Sequence, residues 1–201
     1  MAADTSYSTT TGTTSSTSRT RSRVLTVRTV RAYRWPEVAL FLLLFIIFVC
    51  AAIVIGTHAY FAYVQTRLTV GVPWYYYFLI ATGSLSLVFV LVAAALYYIH
   101  LLLPLPILLA TFVLFVFWLV GLVKSSIELW GPLGSVNDNC VRYVYAAGFW
   151  GGKTLDTLAR IQQEGMCNLW KTAFAVEMIA TFCLVWLALV SWQVMAAARR
   201  Y

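Results

Sequence analysis

The stretch Val38–Val64, VALFLLLFIIFVCAAIVIGTHAYFAYV, decides the fold. It contains no Lys, Arg, Asp or Glu, and it exceeds the ~20 apolar residues a helix needs to cross a ~30 Å hydrocarbon core. Three further apolar runs follow, over about 74–99, 105–123 and 172–198. Each is long enough to span, and Pro104 and Pro106 mark the start of the third, where proline's missing N–H costs a helix nothing. Of the 201 residues, 62% are hydrophobic and only 10% charged. A soluble domain is about half apolar and about a quarter charged, so lipid must be the main solvent here. The expected fold class is all-α: a four-helix transmembrane bundle with a disordered N-terminal tail.

That tail covers 1–34. Its first part is Ser/Thr-rich and cannot bury enough apolar surface to offset chain entropy. Its net charge is strongly positive: Arg19, Arg21, Arg23, Arg28, Arg31 and Arg34 stand against Asp4 alone. Each cation is worth about 1 kcal/mol near an anionic bilayer surface, which makes anionic lipid headgroups the expected partner and the positive-inside flank the plainer role. The Arg-Val-Leu pattern of 24–34 could form a short interfacial helix. No signal-peptide pattern precedes the first run, so that run is expected to act as its own insertion signal. Lipidation boxes are absent from the sequence. Serines and threonines beside arginine at 19–22 could accept phosphate, which would cancel positive charge.

Arg199 and Arg200 close the last run, so both termini are expected to be cytoplasmic, which an even number of spans permits. The 64–73 connection and the 124–171 segment then face outward. Trp35, the Trp74-Tyr75-Tyr76-Tyr77 cluster, Tyr97-Tyr98 and Trp170 occupy positions expected of an interfacial aromatic belt. Ala52, Gly56, Ala81 and Ser84 have the spacing of small residues that permit close helix approach or self-association.

Glu177 is the most costly residue in the chain. A carboxylate inside a span must be protonated, paired or wet. Its own helix offers only Ala173, Phe174, Ala180 and Thr181 at neighbouring positions, so a partner must come from another helix. His58 lies at similar depth, about 9 Å from its end of the first run by helical rise. A His58–Glu177 contact is expected, direct or bridged by water or Thr57. It can be read as a proton or cation site, or as a polar clasp between helices. The clasp is the simpler reading, because a transport path needs more polar groups than the spans supply.

Cys50 and Cys183 fall within spans and read as packed thiols. Cys140 and Cys167 fall in the outer segment and can pair in an oxidising space, worth about 3–4 kcal/mol in the chain-entropy model. That segment has no histidine, and two cysteines are too few for structural zinc, so no metal or other cofactor is expected. Thr154–Gln163, with Leu155, Leu158 and Ile161 on one side, is expected to lie as an amphipathic helix on the membrane surface, approached through Gly148, Gly151 and Gly152. No P-loop, nucleophile elbow or zinc-protease helix occurs, and no inverted repeat with broken helices, so no enzyme activity is expected.

Four spans, a short first outer connection, a longer second one with two cysteines, and the stretch Cys167-Asn168-Leu169-Trp170-Lys171-Thr172-Ala173-Phe174-Ala175-Val176-Glu177 resemble the MARVEL-domain proteins of fungal type. The resemblance covers roughly 35–198. It implies a non-enzymatic protein of plasma or secretory membranes that organises lateral domains or assists trafficking and membrane apposition. Expected partners are lipids and other membrane proteins, or a second copy of the chain, but not nucleic acid. The alternative class is a small channel, transporter or accessory subunit that uses His58 and Glu177.

Overall fold

In a computed structural model the described residues are 35–69, 71–132, 135–146 and 155–199. Helix α1 is Glu37–Arg67, α2 is Trp74–Tyr98 and α3 is Pro104–Trp130. A short α4, Val136–Asn139, continues into a π-helical turn over Cys140–Tyr145, and α5 runs from Leu155 to Arg199. No strand occurs among the described residues. Four helices are long and apolar enough to cross a membrane: α1, α2, α3 and the Ile161–Ala198 part of α5. The arginines of the tail lie outside the described residues, as do the 24–34 segment and the glycines at 148–152.

The spans close a ring. Helix α1 packs on α2 and α5, and α3 packs on α2 and α5. Successive helices alternate in direction, so α1 begins and α5 ends on one face, here the terminal face. The opposite face carries the α1–α2 connection and the disulfide. The surface follows the membrane rule of apolar residues outward. Phe45, Val88, Phe112 and Phe182 are exposed, while Thr57, His58, Thr82, Ser86, Thr111, Ser125, Glu177 and Ser191 are buried. Polar groups turned inward can find partners that lipid cannot supply.

Two boundaries differ from the sequence reading. The third span does not stop at 123: α3 runs on to Trp130, because Lys124 and Glu128 form an i,i+4 ion pair at 2.8 Å that stays half-exposed at the helix end. The fourth does not start at 172, and Thr154–Gln163 is not a separate surface helix. From Leu155 it is the first part of α5, whose 45 residues extend over about 67 Å at helical rise. Uninterrupted i→i−4 bonding carries the amphipathic segment straight into the span.

The belt also divides. Trp74, Tyr77 and Tyr98 are exposed as anchors should be, but Trp35, Tyr75 and Tyr76 are buried. Helical periodicity turns the middle pair of the four-aromatic cluster inward. Trp35 is fixed by its indole N–H, which donates to the Leu102 carbonyl at 3.2 Å and ties the start of α1 to the α2–α3 turn. That turn bends through His100 at φ 54, with the Leu101 N–H donating to Leu96 O at 2.9 Å. Positive φ at a non-glycine residue closes the helix end as a glycine would.

Close approach between helices is set by glycines other than Gly56. A Cβ on Gly83 of α2 would lie 2.8 Å from Ile55 Cγ1 and 3.2 Å from Ala51 O of α1. Gly121 of α3 receives the Leu79 side chain of α2. Ala52, Gly56, Ala81 and Ser84 instead lie on the exposed surface, and a Cβ on Gly56 would meet nothing within 4 Å. Deeper in the bundle the Trp118 indole N–H donates to Ser86 Oγ at 2.9 Å, and that hydroxyl donates to Thr82 O at 2.9 Å. Gly83→Val should destabilise the bundle by about 1–3 kcal/mol through overpacking against α1. Gly56→Val should change stability little. Detergent-unfolding curves of the two variants side by side would check the contrast.

Candidate intramembrane polar site

Helix α1 aims His58 into the bundle one turn below Phe61 and beside Thr57. The Thr57 hydroxyl turns back on its own helix and donates to Ile53 O at 2.9 Å. His58 Nδ1 lies 2.9 Å from Val54 O. A carbonyl oxygen only accepts, so Nδ1 carries the proton. Nε2 therefore faces the other way, toward Glu177 Oε1 of α5 at 3.7 Å. Both residues are closed off from the surroundings, at 1% and 0% exposure.

That separation exceeds the 2.7–3.2 Å of a direct N–H···O bond. The contact is electrostatic proximity just beyond hydrogen-bond length, and Thr57 does not bridge it, since its hydroxyl is engaged on α1. Glu177 is shaped for such a site by small neighbours, Ala173 and Ala180, which are buried beside it. Its backbone carbonyl accepts from Thr181 Oγ1 at 2.8 Å, which leaves the carboxyl as the polar group directed away from α5. From α3, Ser125 brings a hydroxyl into the neighbourhood of that carboxyl. His58 Nε2, both Glu177 carboxyl oxygens and Ser125 Oγ are buried, and no described group outside this cluster gives any of them a hydrogen bond.

Aromatic rings roof the pair on the disulfide face. Phe61 and Tyr76 meet the His58 ring edge-on at centroid distances of 5.9 and 5.7 Å. Trp170 stacks on Phe61 at 5.1 Å and leans on Tyr76 at 6.0 Å. Above the roof, Gln65 Nε2 donates to the Tyr76 hydroxyl at 3.1 Å. Tyr75 lies against Tyr76 at 4.6 Å between ring centroids, with Lys124 5.7 Å from its own.

Cys140 and Cys167 form a disulfide with Cα atoms 6.0 Å apart. It pins the π-helical turn to α5 just before Trp170. The Tyr145 hydroxyl reinforces this by donating to Asn168 Oδ1 at 3.0 Å, and Lys171 Nζ lies 5.0 Å from the Tyr145 ring centroid. The covalent cap thus holds the α5 segment that supplies the roof and, two turns on, Glu177. Cys50 and Cys183 are free thiols, the first buried and the second half-buried. Among the described residues no group of three or more His, Cys, Asp or Glu side chains could hold a metal ion.

Sequence reasoning did not reach Ser125, Tyr75, Tyr76 and Gln65. A third span ended at 123 hid the stripe Leu114, Trp118, Gly121, Ser125, Leu129, whose three- and four-residue spacing continues through the charged pair. No protein-family model, curated protein or solved structure matches this chain.

If the pair acts as a clasp, replacing one partner strands the other. Glu177→Leu and His58→Leu should each destabilise the bundle, while the double replacement should lose less than their sum. The coupling is expected at about 0.6–2 kcal/mol, the range for polar contacts between spans. A double-mutant cycle in mixed micelles would measure it, and strict additivity would rule out the clasp.

Proposed function

We propose that this chain is a non-enzymatic integral membrane scaffold that organises membrane domains or assists trafficking and apposition, in the manner of the MARVEL-domain proteins it resembles. The observation that carries the reading is the direction in which its polar groups face. His58, Glu177, Ser125, Ser86 and Trp118 bind the spans to one another, and the surface left for lipid and neighbours is broad and apolar. A protein built this way works through its outer surface and its ends. The alternative, a channel or transporter using His58 and Glu177, needs Glu177 on a wet path. Full burial beneath three aromatic rings favours the scaffold.

In this proposal both termini are cytoplasmic and the disulfide lies on an oxidising side, at the cell surface or in a secretory lumen, where such bonds persist. The six tail arginines gather anionic lipid in the cytoplasmic leaflet, each worth about 1 kcal/mol and weakened by salt. Lateral assembly with other membrane proteins or with further copies would use the exposed apolar faces of the four spans.

Reconstitution into vesicles that contain labelled anionic lipid tests this reading. The wild-type chain should enrich that lipid around itself by energy transfer. Exchange of Arg19, Arg21, Arg23, Arg28, Arg31 and Arg34 for Gln should abolish most of the enrichment, and so should high salt. Equal enrichment by both chains would sink the lipid-organising role. Ion flux that Glu177→Gln removes would favour the alternative.

A further inference from the structure

The polar site has more acceptors than a simple clasp uses. Nδ1 of His58 is committed to Val54 O, so only Nε2 faces Glu177. Two neutral arrangements exist. Either Nε2 carries a second proton and faces a carboxylate, or Nε2 is a lone pair and faces a carboxylic acid. Both hold one proton between the two groups. Removing it leaves a bare carboxylate, and adding another leaves an unpaired imidazolium, each an uncompensated charge inside the apolar layer. At 3.7 Å the two groups stand just beyond a direct hydrogen bond and too close for a water between them, so a shift of under ~1 Å in either side chain lets them share the proton, and Ser125 Oγ supplies a third polar contact.

The surroundings are lopsided. Toward the terminal face the inward positions of α1 and α5 are mostly apolar, Val54, Ala51, Leu184 and Leu187 among them, and the nearby hydroxyls are engaged on their own helices, Thr181 on Glu177 O, Thr82 on Phe78 O and Ser86 on Thr82 O. On the disulfide face the polar groups continue. Tyr76 of α2 meets the His58 ring at 5.7 Å between centroids, Tyr75 lies against Tyr76 at 4.6 Å, and Gln65 of α1 donates to the Tyr76 hydroxyl at the rim. The titratable and charged groups around the pair are therefore Tyr75 and Tyr76 from α2 and the Lys124–Glu128 ion pair from α3. Nearer the surface, α5 adds Lys171, which lies over Tyr145.

We propose that His58, Ser125 and Glu177 form an internal proton-binding site, with one proton held between imidazole and carboxyl, that exchanges its proton with the disulfide face alone through Tyr75, Tyr76 and Gln65. The proton enters and leaves on the same side, so the site stores or senses a proton and conducts none across the membrane. This rests on the scaffold reading only in taking the pair as a closed contact; its readouts are independent of lipid organisation.

The chain has two histidines, His58 and His100. His100 sits at positive φ, where glycine is well tolerated, so His100→Gly leaves His58 as the single histidine. Nitrogen-15 solid-state NMR of that full-length variant, histidine-labelled in lipid bilayers, reads each ring nitrogen. The expected result is a protonated Nδ1 and an Nε2 in a hydrogen bond with the Glu177 carboxyl. Adding Glu177→Gln should return Nε2 to an ordinary lone-pair signal while Nδ1 stays protonated. A bare Nδ1, or an Nε2 signal indifferent to Glu177→Gln, overturns the site. Tyr75→Phe should leave the tautomer intact and slow solvent exchange of the shared proton several-fold, and an unchanged exchange rate overturns the route. Vesicles loaded with a pH-sensitive dye should show no proton flux, and flux abolished by Glu177→Gln overturns the one-sided closure. Failure of the NMR signature with lipid enrichment intact would remove this site and leave the scaffold standing.

Discussion

The burial of a carboxylate and an imidazole between helices whose outer surface is lipid-soluble is the constraint around which the bundle is arranged. Apolar side chains contribute little to choosing a neighbour in the bilayer, since lipid tails are as apolar as leucine. Groups that lipid cannot satisfy do choose. His58 on α1 and Glu177 on α5 have to face each other, and Ser125 brings α3 to the same level. With α1 beside α5 and α5 beside α3, the ring is closed by α2, which supplies the tyrosines above the pair.

A second level lies deeper. Trp118 and Ser86 join α3 to α2 by a hydrogen bond between fully buried groups, Gly121 lets α3 approach Leu79 of α2, and Gly83 lets α2 approach α1. Between the two levels the core is aliphatic, with Val54, Leu79, Leu114 and Leu184 buried. Packing there is a matter of shape, while the polar levels fix rotation and register. The disulfide cap adds a third constraint from outside the apolar layer. It holds the start of the α5 span, and with it Trp170, against Phe61 and Tyr76, the rings that meet His58. Cap, aromatic roof and polar pair form one connected column on the disulfide face, whereas the terminal face is tied by the Trp35–Leu102 bond.

This architecture separates the jobs of surface and interior. The interior spends its few polar residues on holding the helices together and, at one point, on holding a proton. The exterior is left apolar and free of titratable groups over most of its area, which suits lateral contact with lipid and with other spans.

The number of spans, their membrane setting, the alternation of direction and the pairing of Cys140 with Cys167 could be read from sequence. Hydrophobic run length and loop position are local properties, and lipid penalises any exception. His58 and Glu177 were legible for the same reason: a titratable group in an apolar run must have a partner, and depth along the helix narrows the choice. Tertiary structure decided which faces turn inward. It placed Tyr75 and Tyr76 over the pair while Trp74 and Tyr77 stayed outside, chose Gly83 over Gly56 for close approach, and extended α3 to Ser125. In a soluble helix an amphipathic stripe would announce these rotations. Here nearly every residue on the ring is apolar, so only the meeting of one helix with the next reveals which side is inside.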